Sequence, residues 1–305
     1  MKVLIVASNK SGNYAPFVMD QVQELSKRGV EFAFFPITGK GLMGYLKSLP
    51  ALKKMIKKET PDLVHAHFGL SGLLAVLQRK CPVVVTFHGS DVNMKKNWYF
   101  SKLAHWLSKR SIFVSEDLKR NLKVSKGAVI PCGIDTDLFL KHDKIESRRK
   151  LGMDEDKKLV VFSSSFSRPV KNYPLAKEAM DLVELDHVEL IELKGYTREE
   201  IPIVMSAADC GLVTSHSESG PLFVKEAIAC GLPVVSVNVG EVRASFERTQ
   251  GNHLVDRDAQ KIAQAITQVL TENVSSVSNG KEKEFCNKAI AERLEQVYIN
   301  VITTK

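Results

Sequence analysis

Short apolar runs separated by amphipathic stretches repeat along almost the whole 305-residue chain. Runs at 3–7, 31–35, 63–65, 83–87, 112–115 and 128–131 read as strands, and helical spacing fills the intervals at about 15–28, 42–58, 70–80, 96–109 and 116–122. The strands carry few polar interruptions, as expected when both faces of a parallel sheet are covered. Strand–helix alternation of this kind points to a doubly wound α/β layer structure. A polar, charged stretch at 141–150 reads as a boundary, and a second alternation follows. Its strands lie at 159–163 and near 187–192, 209–214 and 233–237, and its helices near 172–184, 197–207, 221–230 and 258–271. The expected architecture is α/β, with two Rossmann-like doubly wound domains, residues 1–145 and 146–280, facing a cleft. Ligands of open α/β sheets bind at the carboxyl ends of the strands. Apolar residues at 285, 289, 290, 294 and 297 predict a last helix at about 281–305.

Composition narrows the class. A chain 44% hydrophobic and 26% charged is that of a soluble globular protein. The start, Met1 to Ala7, turns polar too soon for a signal peptide and reads as a first buried strand. No run of ~18 apolar residues is present to span a membrane. Five cysteines without C-x-x-C spacing suggest free thiols, a reducing cytoplasm and no structural zinc. The net charge of +8 is divided unevenly: residues 1–150 carry 26 Lys and Arg against 12 Asp and Glu, a surplus of +14 that leaves the remainder at −6. Such asymmetry suggests that one half faces a polyanion. Lysines crowd 47–58, and basic and aromatic residues interleave over 95–110. That mixture suits an anionic membrane surface, with Lys95, Lys96 and Trp98 as docking residues of a peripheral protein. No recognised nucleic-acid module accompanies it, so nucleic acid is not an expected partner.

The chemistry concentrates at Ser215 to Val235. An apolar strand ends just before Ser215, and a Ser-Gly-Pro turn opens a helix, with Pro221 suited to the first helical position. Unpaired N–H groups and the positive end of the dipole make such a turn an anion site. Glu218 and Glu226 flank it. A carboxylate can accept two hydroxyl hydrogen bonds at once, so a ligand bearing both phosphates and hydroxyls fits, and a nucleotide sugar is such a ligand. Arg168 and Lys171 follow a serine-rich strand end; Arg forks two phosphate oxygens and Lys adds a mobile charge. His88 emerges from a strand end in His88-Gly-Ser-Asp91, where it would bond a sugar or assist at an acceptor hydroxyl. His65 and His67 alternate on another strand end without a third metal ligand; a structural role is expected for His65, and His67 is a cleft candidate. Gly12 and Asn13 lie in the loop Lys10–Tyr14 after the first strand, where Gly12 permits close backbone approach. That loop is no G-x-G-x-x-G, so a dinucleotide oxidoreductase is disfavoured.

Ser215 to Gly240 resembles the E-x7-E signature of retaining glycosyltransferases of the GT-B type, in the family numbered four. Glu226-Ala-Ile-Ala-Cys-Gly-Leu-Pro-Val-Val235 matches the end of that motif. Asp62-Leu-Val-His-Ala-His67, His88-Gly-Ser-Asp91, Pro131-Cys-Gly-Ile-Asp135 and Arg168-Pro-Val-Lys171 resemble further family motifs in the family's order. The resemblance implies a GT-B-like fold whose last helix crosses back onto the first domain. It implies that Glu226 takes the ribose hydroxyls and Glu218 sits near the donor sugar. Backbone groups at Ser219, Gly220, Leu222 and Phe223 would meet sugar or phosphate, and Arg168 and Lys171 the diphosphate. Gly12, Asn13, His88 and Asp91 would line the acceptor side. No metal and no cofactor beyond the nucleotide-sugar co-substrate is implied. The expected activity is hexosyl or related glycosyl transfer, in polysaccharide or glycolipid biosynthesis. Two rivals remain: an epimerase of similar fold, which needs no acceptor, and a non-catalytic sugar-nucleotide binder. A hydrolase ranks low, because nothing places a second carboxylate across a sugar ring.

Overall fold

The computed structural model describes the whole chain except residues 10, 11, 248, 273, 279–283 and 305. The expected start of the last helix at 281–283, and Lys10 and Ser11 of the first loop, therefore lie outside the described residues. The chain divides into two units, Met1–Gly133 with Phe285–Lys305, and Ile134–Glu284.

In the first unit the order is β1 (Lys2–Ser8), α1 (Pro16–Lys27), β2 (Glu31–Ile37), α2 (Gly41–Leu46), α3 (Leu49–Glu59), β3 (Leu63–His67) and α4 (Gly69–Val76). Then come β4 (Val83–Phe87), α5 (Ser90–Asn93), α6 (Lys95–Leu107), β5 (Arg110–Phe113), α7 (Glu116–Asn121) and β6 (Ala128–Val129). The second unit holds α8 (Lys144–Leu151), β7 (Lys158–Phe162), a short 3₁₀ turn (Pro169–Lys171), α9 (Tyr173–Asp181), β8 (Val188–Glu192), α10 (Ile201–Ala207) and β9 (Cys210–Val213). It continues through α11 (Leu222–Ala229), β10 (Val234–Val237), α12 (Val242–Phe246), β11 (Thr249–Gln250), β12 (His253–Val255), α13 (Ala259–Glu272) and β13 (Val277–Ser278). A final helix, α14 (Asn287–Thr303), belongs to the first unit.

Each unit is a twisted parallel sheet with its strands in doubly wound order. The first runs β2-β1-β3-β4-β5-β6 and the second β12-β10-β9-β7-β8, every pairing parallel. β3 and β4 are buried along their full length, His65 and His67 of β3 included, as expected for central strands of a covered parallel sheet. α14 places Ile290, Leu294, Val297 and Val301 in one buried stripe, with Val18, Val22 and Leu25 of α1 in the same core. Arg28 at the end of α1 ties the two helices by ion pairs to Glu292 and Glu295. α4 and α6 approach closely because Gly69 and Gly72 carry no side chain. A Cβ at Gly69 would lie 1.9 Å from Ser101 Oγ, and one at Gly72 would lie 3.3 Å from Ala104 Cβ and 2.6 Å from Val85 of β4. No helix among the described residues is long and apolar enough to cross a membrane.

The stretch 141–150, expected to hold the domain boundary, is largely α8. Asp143 caps it by accepting from the Glu146 N–H, and Gly152 ends it in the left-handed conformation. Residues 134–145 lie with the second unit, where Phe139 is buried in its core. α8 is held by Arg148, only 4% exposed, whose Nη2 donates to Asp209 at 2.7 Å. Asp209 also accepts from the Leu159 N–H, and Arg148 donates to the carbonyls of Ala207 and Glu155. Removing Arg148 would leave the buried Asp209 carboxylate, among the described residues, with only the partly exposed Lys144 and the Leu159 N–H, and breaking a buried pair costs up to about 3–5 kcal/mol. Arg148→Ala should therefore lower the unfolding free energy of the second unit, read from its urea transition, by up to that amount. A shift no larger than that of Arg149→Ala, whose exposed partner is Glu155, would remove this pair from the list of stabilising contacts.

Candidate active site

In the second unit β7 leads to β8 on one side, and the chain then crosses back to β9 on the other. The loops after β7 and β9 thus leave adjacent strand ends in opposite senses, the position where open α/β sheets bind ligands. These two loops carry Arg168, Lys171 and Glu218.

Lys171, at the end of the 3₁₀ turn, donates to Glu218 Oε1 at 2.6 Å, and Ser215 donates to the same oxygen at 2.7 Å. The backbone is equally tied. Thr214 Oγ1 donates to the carbonyls of Lys171 and Asn172, and the His216 N–H donates to Val170 O at 2.9 Å. Gly240 packs against this loop: a Cβ there would lie 3.0 Å from the Glu218 carbonyl, and its φ of 55° is one that side chains disfavour. Arg168 is exposed, with Nη1 3.3 Å from Ser164 Oγ. The Ser163 hydroxyl, buried at the end of β7, has no hydrogen-bond partner among the described residues. Ser219 and Gly220 are half-buried, and α11 begins at Leu222. Pro221 is the residue before the helix, not its first residue, because its ψ of 107° is still extended. The Phe223 ring points into the core, 3.1 Å from where a Gly211 Cβ would be, so only its backbone faces the loop side. Glu226 lies one turn further along α11, half-buried. Arg257 was not anticipated: it donates to Thr214 O at 3.2 Å and lies 3.4 Å from His216 Nδ1. Its position after the short β12 gave no periodic signal.

The first unit has its own order reversal, between β1 and β3, with β4 next in line. His88 follows β4, half-buried among the rings of Phe17, Phe68 and His67. His88 Nε2 lies 3.0 Å from His67 Nδ1, and its Nδ1 lies 3.9 Å from Cys132 Sγ. His67 is thus a neighbour of His88 within the same cluster. His65 sits between Tyr298, 2.6 Å from its Nδ1, and Thr86, 2.7 Å from its Nε2, a structural position. Asp91 is spent on the backbone: one oxygen accepts from the His88 and Gly89 N–H groups, the other from Gly69. It shapes the loop that carries His88 instead of facing a ligand. Gly12 and Asn13 are exposed after β1, with φ of 87° at Gly12. Among the described residues no group of three His, Cys, Asp or Glu is placed to hold a metal ion.

Burial depresses all three clustered histidines; His67 falls to about 3, while His65 and His88 fall well below their ordinary value. Burial raises Asp91 to about 6 against the pull of its backbone hydrogen bonds. Below about pH 6.5 the unfolded chain binds protons that the folded histidines refuse, so stability falls with pH, by up to about 1.4 kcal/mol per unit per histidine. Asp91 acts oppositely, since its folded form takes a proton first, but it is one group against three. The urea midpoint of the first unit should accordingly drop between about pH 7.5 and about pH 5. A constant or rising midpoint would contradict the neutral cluster.

Two family models match the chain: Glycosyltransferase Family 4 over residues 2–138, and Glycosyl transferases group 1 over residues 184–291. Together they cover most of it, and the chain belongs to this family of glycosyltransferases. Glu218 and Glu226 fall within the second match; Arg168 and Lys171 lie between the two. A putative teichuronic acid biosynthesis glycosyltransferase, TuaC, of Bacillus subtilis (strain 168) is 29% identical over 73% of this chain and 65% of its own length. The chain thus spans just under two thirds of that relative. Sucrose-phosphate synthase from Thermosynechococcus elongatus matches in structure with a TM-score of 0.86, at 18% identity over all of both chains. The Anabaena protein HepE, in complex with UDP and glucose, matches with a TM-score of 0.78, at 16% identity over 98% of this chain and 100% of that one. These structural likenesses establish the fold, two parallel-sheet α/β units as in GT-B glycosyltransferases.

Proposed function

We propose that this chain moves a glycosyl group from a nucleotide-diphospho-sugar to a hydroxyl acceptor, with retention, in polysaccharide or glycolipid assembly. The observation that carries the proposal is the Lys171–Glu218 pair at the strand-order reversal, with Arg168 beside it. Glycosyl transfer builds negative charge on the departing diphosphate and positive charge on the sugar. Preorganised opposite charges at those two places lower the barrier without being consumed. Lys171 and Arg168 suit the diphosphate, and Glu218 suits the sugar. Glu226, one helical turn beyond the N-terminus of α11, is the ribose clamp. His88 would meet the acceptor or the sugar by exchanging its weak Cys132 contact for a ligand hydroxyl. The reading needs no metal and no further cofactor, and it keeps the chain in a reducing cytoplasm. The teichuronic acid relative supports a polymeric or membrane-linked acceptor, and the UDP complex of the Anabaena protein supports a uridine nucleotide as a first donor to try.

The experiment is a thermal-shift screen of nucleoside diphosphates and nucleotide sugars, followed by assays of donor turnover with and without acceptor. A bound donor at about 100 times its Kd should add about 2.7 kcal/mol of stability. Glu226→Ala should lose about 1–3 kcal/mol of donor affinity and Glu226→Gln less. Lys171→Ala and Arg168→Ala should lower kcat as well as affinity, because their charge matters most as the diphosphate leaves. Unchanged nucleotide affinity in both Glu226 variants would reject the clamp. Conversion of the donor to its epimer without acceptor would make the chain an epimerase, and tight binding without any turnover would make it a binder.

A further inference from the structure

The thirteen residues of α6 divide cleanly between two sides. Ser101 and Ala104 are buried toward α4, whose two glycines admit them. On the opposite side Tyr99, Leu103 and Trp106 are 74%, 46% and 76% exposed, at spacings of four and three that align them in one stripe. Trp98, the aromatic expected to dock, is not in the stripe. Its indole N–H donates to Asn121 O at 2.8 Å, and Lys102 lies over its ring.

Cations close the stripe at both ends: Lys95 and Lys96 at the start of α6, Lys109 and Arg110 just past its end, all exposed. α6 contains no Asp or Glu. Beside Trp106 opens a cavity of about 630 Å³ whose lining includes Lys102, Lys109, Arg110, Lys123 and Lys126 and no carboxylate. α3 packs against α4 as α6 does, and it exposes Lys53, Lys54 and Lys57. Right-handed crossovers put α3, α4 and α6 on one face of the sheet, so both lysine groups share that face.

We infer that this face of the first unit docks on an anionic lipid bilayer, with Tyr99, Leu103 and Trp106 in the interface and the surrounding cations on lipid phosphates. A large exposed apolar stripe calls for a partner. Surrounding it with unneutralised cations suits a partner that is apolar in its depth and anionic at its surface. A bilayer has that layering, and aromatic side chains settle at its boundary. The inference is independent of glycosyl transfer, since lipid binding is measured without donor or acceptor.

The test is co-sedimentation of the full chain with vesicles of phosphatidylcholine alone and of phosphatidylcholine mixed with phosphatidylglycerol. Binding should require phosphatidylglycerol and weaken with added salt, because screening shortens the reach of surface charge. Leu103→Ser with Trp106→Ser should cut partitioning by about tenfold or more. Neutralising Lys95 or Lys96 to Gln should cost about fivefold each, which is what about 1 kcal/mol per cation amounts to. All four side chains are exposed, so the variants should keep the parent's unfolding midpoint; should the double variant not fold, the lysine variants decide. Equal binding to both vesicles, binding to neither, or full binding by the folded double variant would overturn the inference. So would capture by a single-stranded RNA or an acidic polypeptide with no vesicle binding.

Discussion

Parallel neighbours in a sheet cannot be joined by a tight turn, so in each of the two large parallel sheets the chain crosses over between strands and the strands deliver their following loops to one edge of that sheet. Where the strand order reverses, two such loops diverge and leave room between them. The second unit reverses between β7 and β9, and there Lys171 meets Glu218 although 47 residues separate them. The pair is then locked by contacts that involve no ligand. Thr214 holds the carbonyls of the 3₁₀ turn, Ser215 holds the carboxylate, and Gly240 lets the backbone come close. Preorganisation is thus a property of the scaffold, which is what electrostatic stabilisation of a transition state requires.

The first unit uses its reversal differently. It encloses imidazoles instead of placing opposite charges. His65 is braced by Tyr298 of α14 and Thr86 of β4, and its ring lies tilted with its centroid 4.3 Å from that of His67, which meets His88 in turn. Burial keeps these rings neutral. A neutral imidazole at His88 can accept or donate a hydrogen bond to a hydroxyl without adding charge to the site. Because Tyr298 belongs to the last helix and His65 to the third strand, the cluster also joins chain segments 233 residues apart. α14 is therefore part of the wall behind His88 and not an appendage.

Legibility in the sequence followed the range of the interactions. Period-two and period-3.6 patterns are local, so nearly every buried strand and long helix was readable. The two-residue β11 and β13 and the three-residue β12 are too short to show a period. α8 reads as a boundary because its eight residues are strongly charged, yet the Asp143 cap, Glu146 three residues on and Gly152 beyond are local helix signals. Glu218, Glu226, Arg168 and Lys171 could be named because turn chemistry and charge type are local. The pairing of Lys171 with Glu218 could not, since it depends on which strands lie side by side. The same holds for Asp91, whose carboxylate is consumed by Gly69 from a different loop, and for the choice between Trp98 and Trp106. Helical spacing says that some aromatics face inward; only the packing of α6 on α4 says which.

The uneven charge has a physical meaning beyond its count. In the second unit basic side chains are largely matched to carboxylates: Lys144 and Arg148 to Asp209, Arg149 to Glu155, Lys157 to Glu189, Lys171 to Glu218. The exposed pairs among them contribute little stability, but all of them remove net field from the surface. In the first unit no carboxylate among the described residues lines the cavity beside the cations around α6, and these cations surround side chains that water solvates poorly. Keeping like charges together raises the energy of the folded chain, and exposing tryptophan raises it again. Both costs are recovered only in contact with something anionic and apolar at once. A solubility bias would scatter the surplus and bury the rings, so the arrangement, more than the surplus of +14, is what ties this face to a surface outside the molecule.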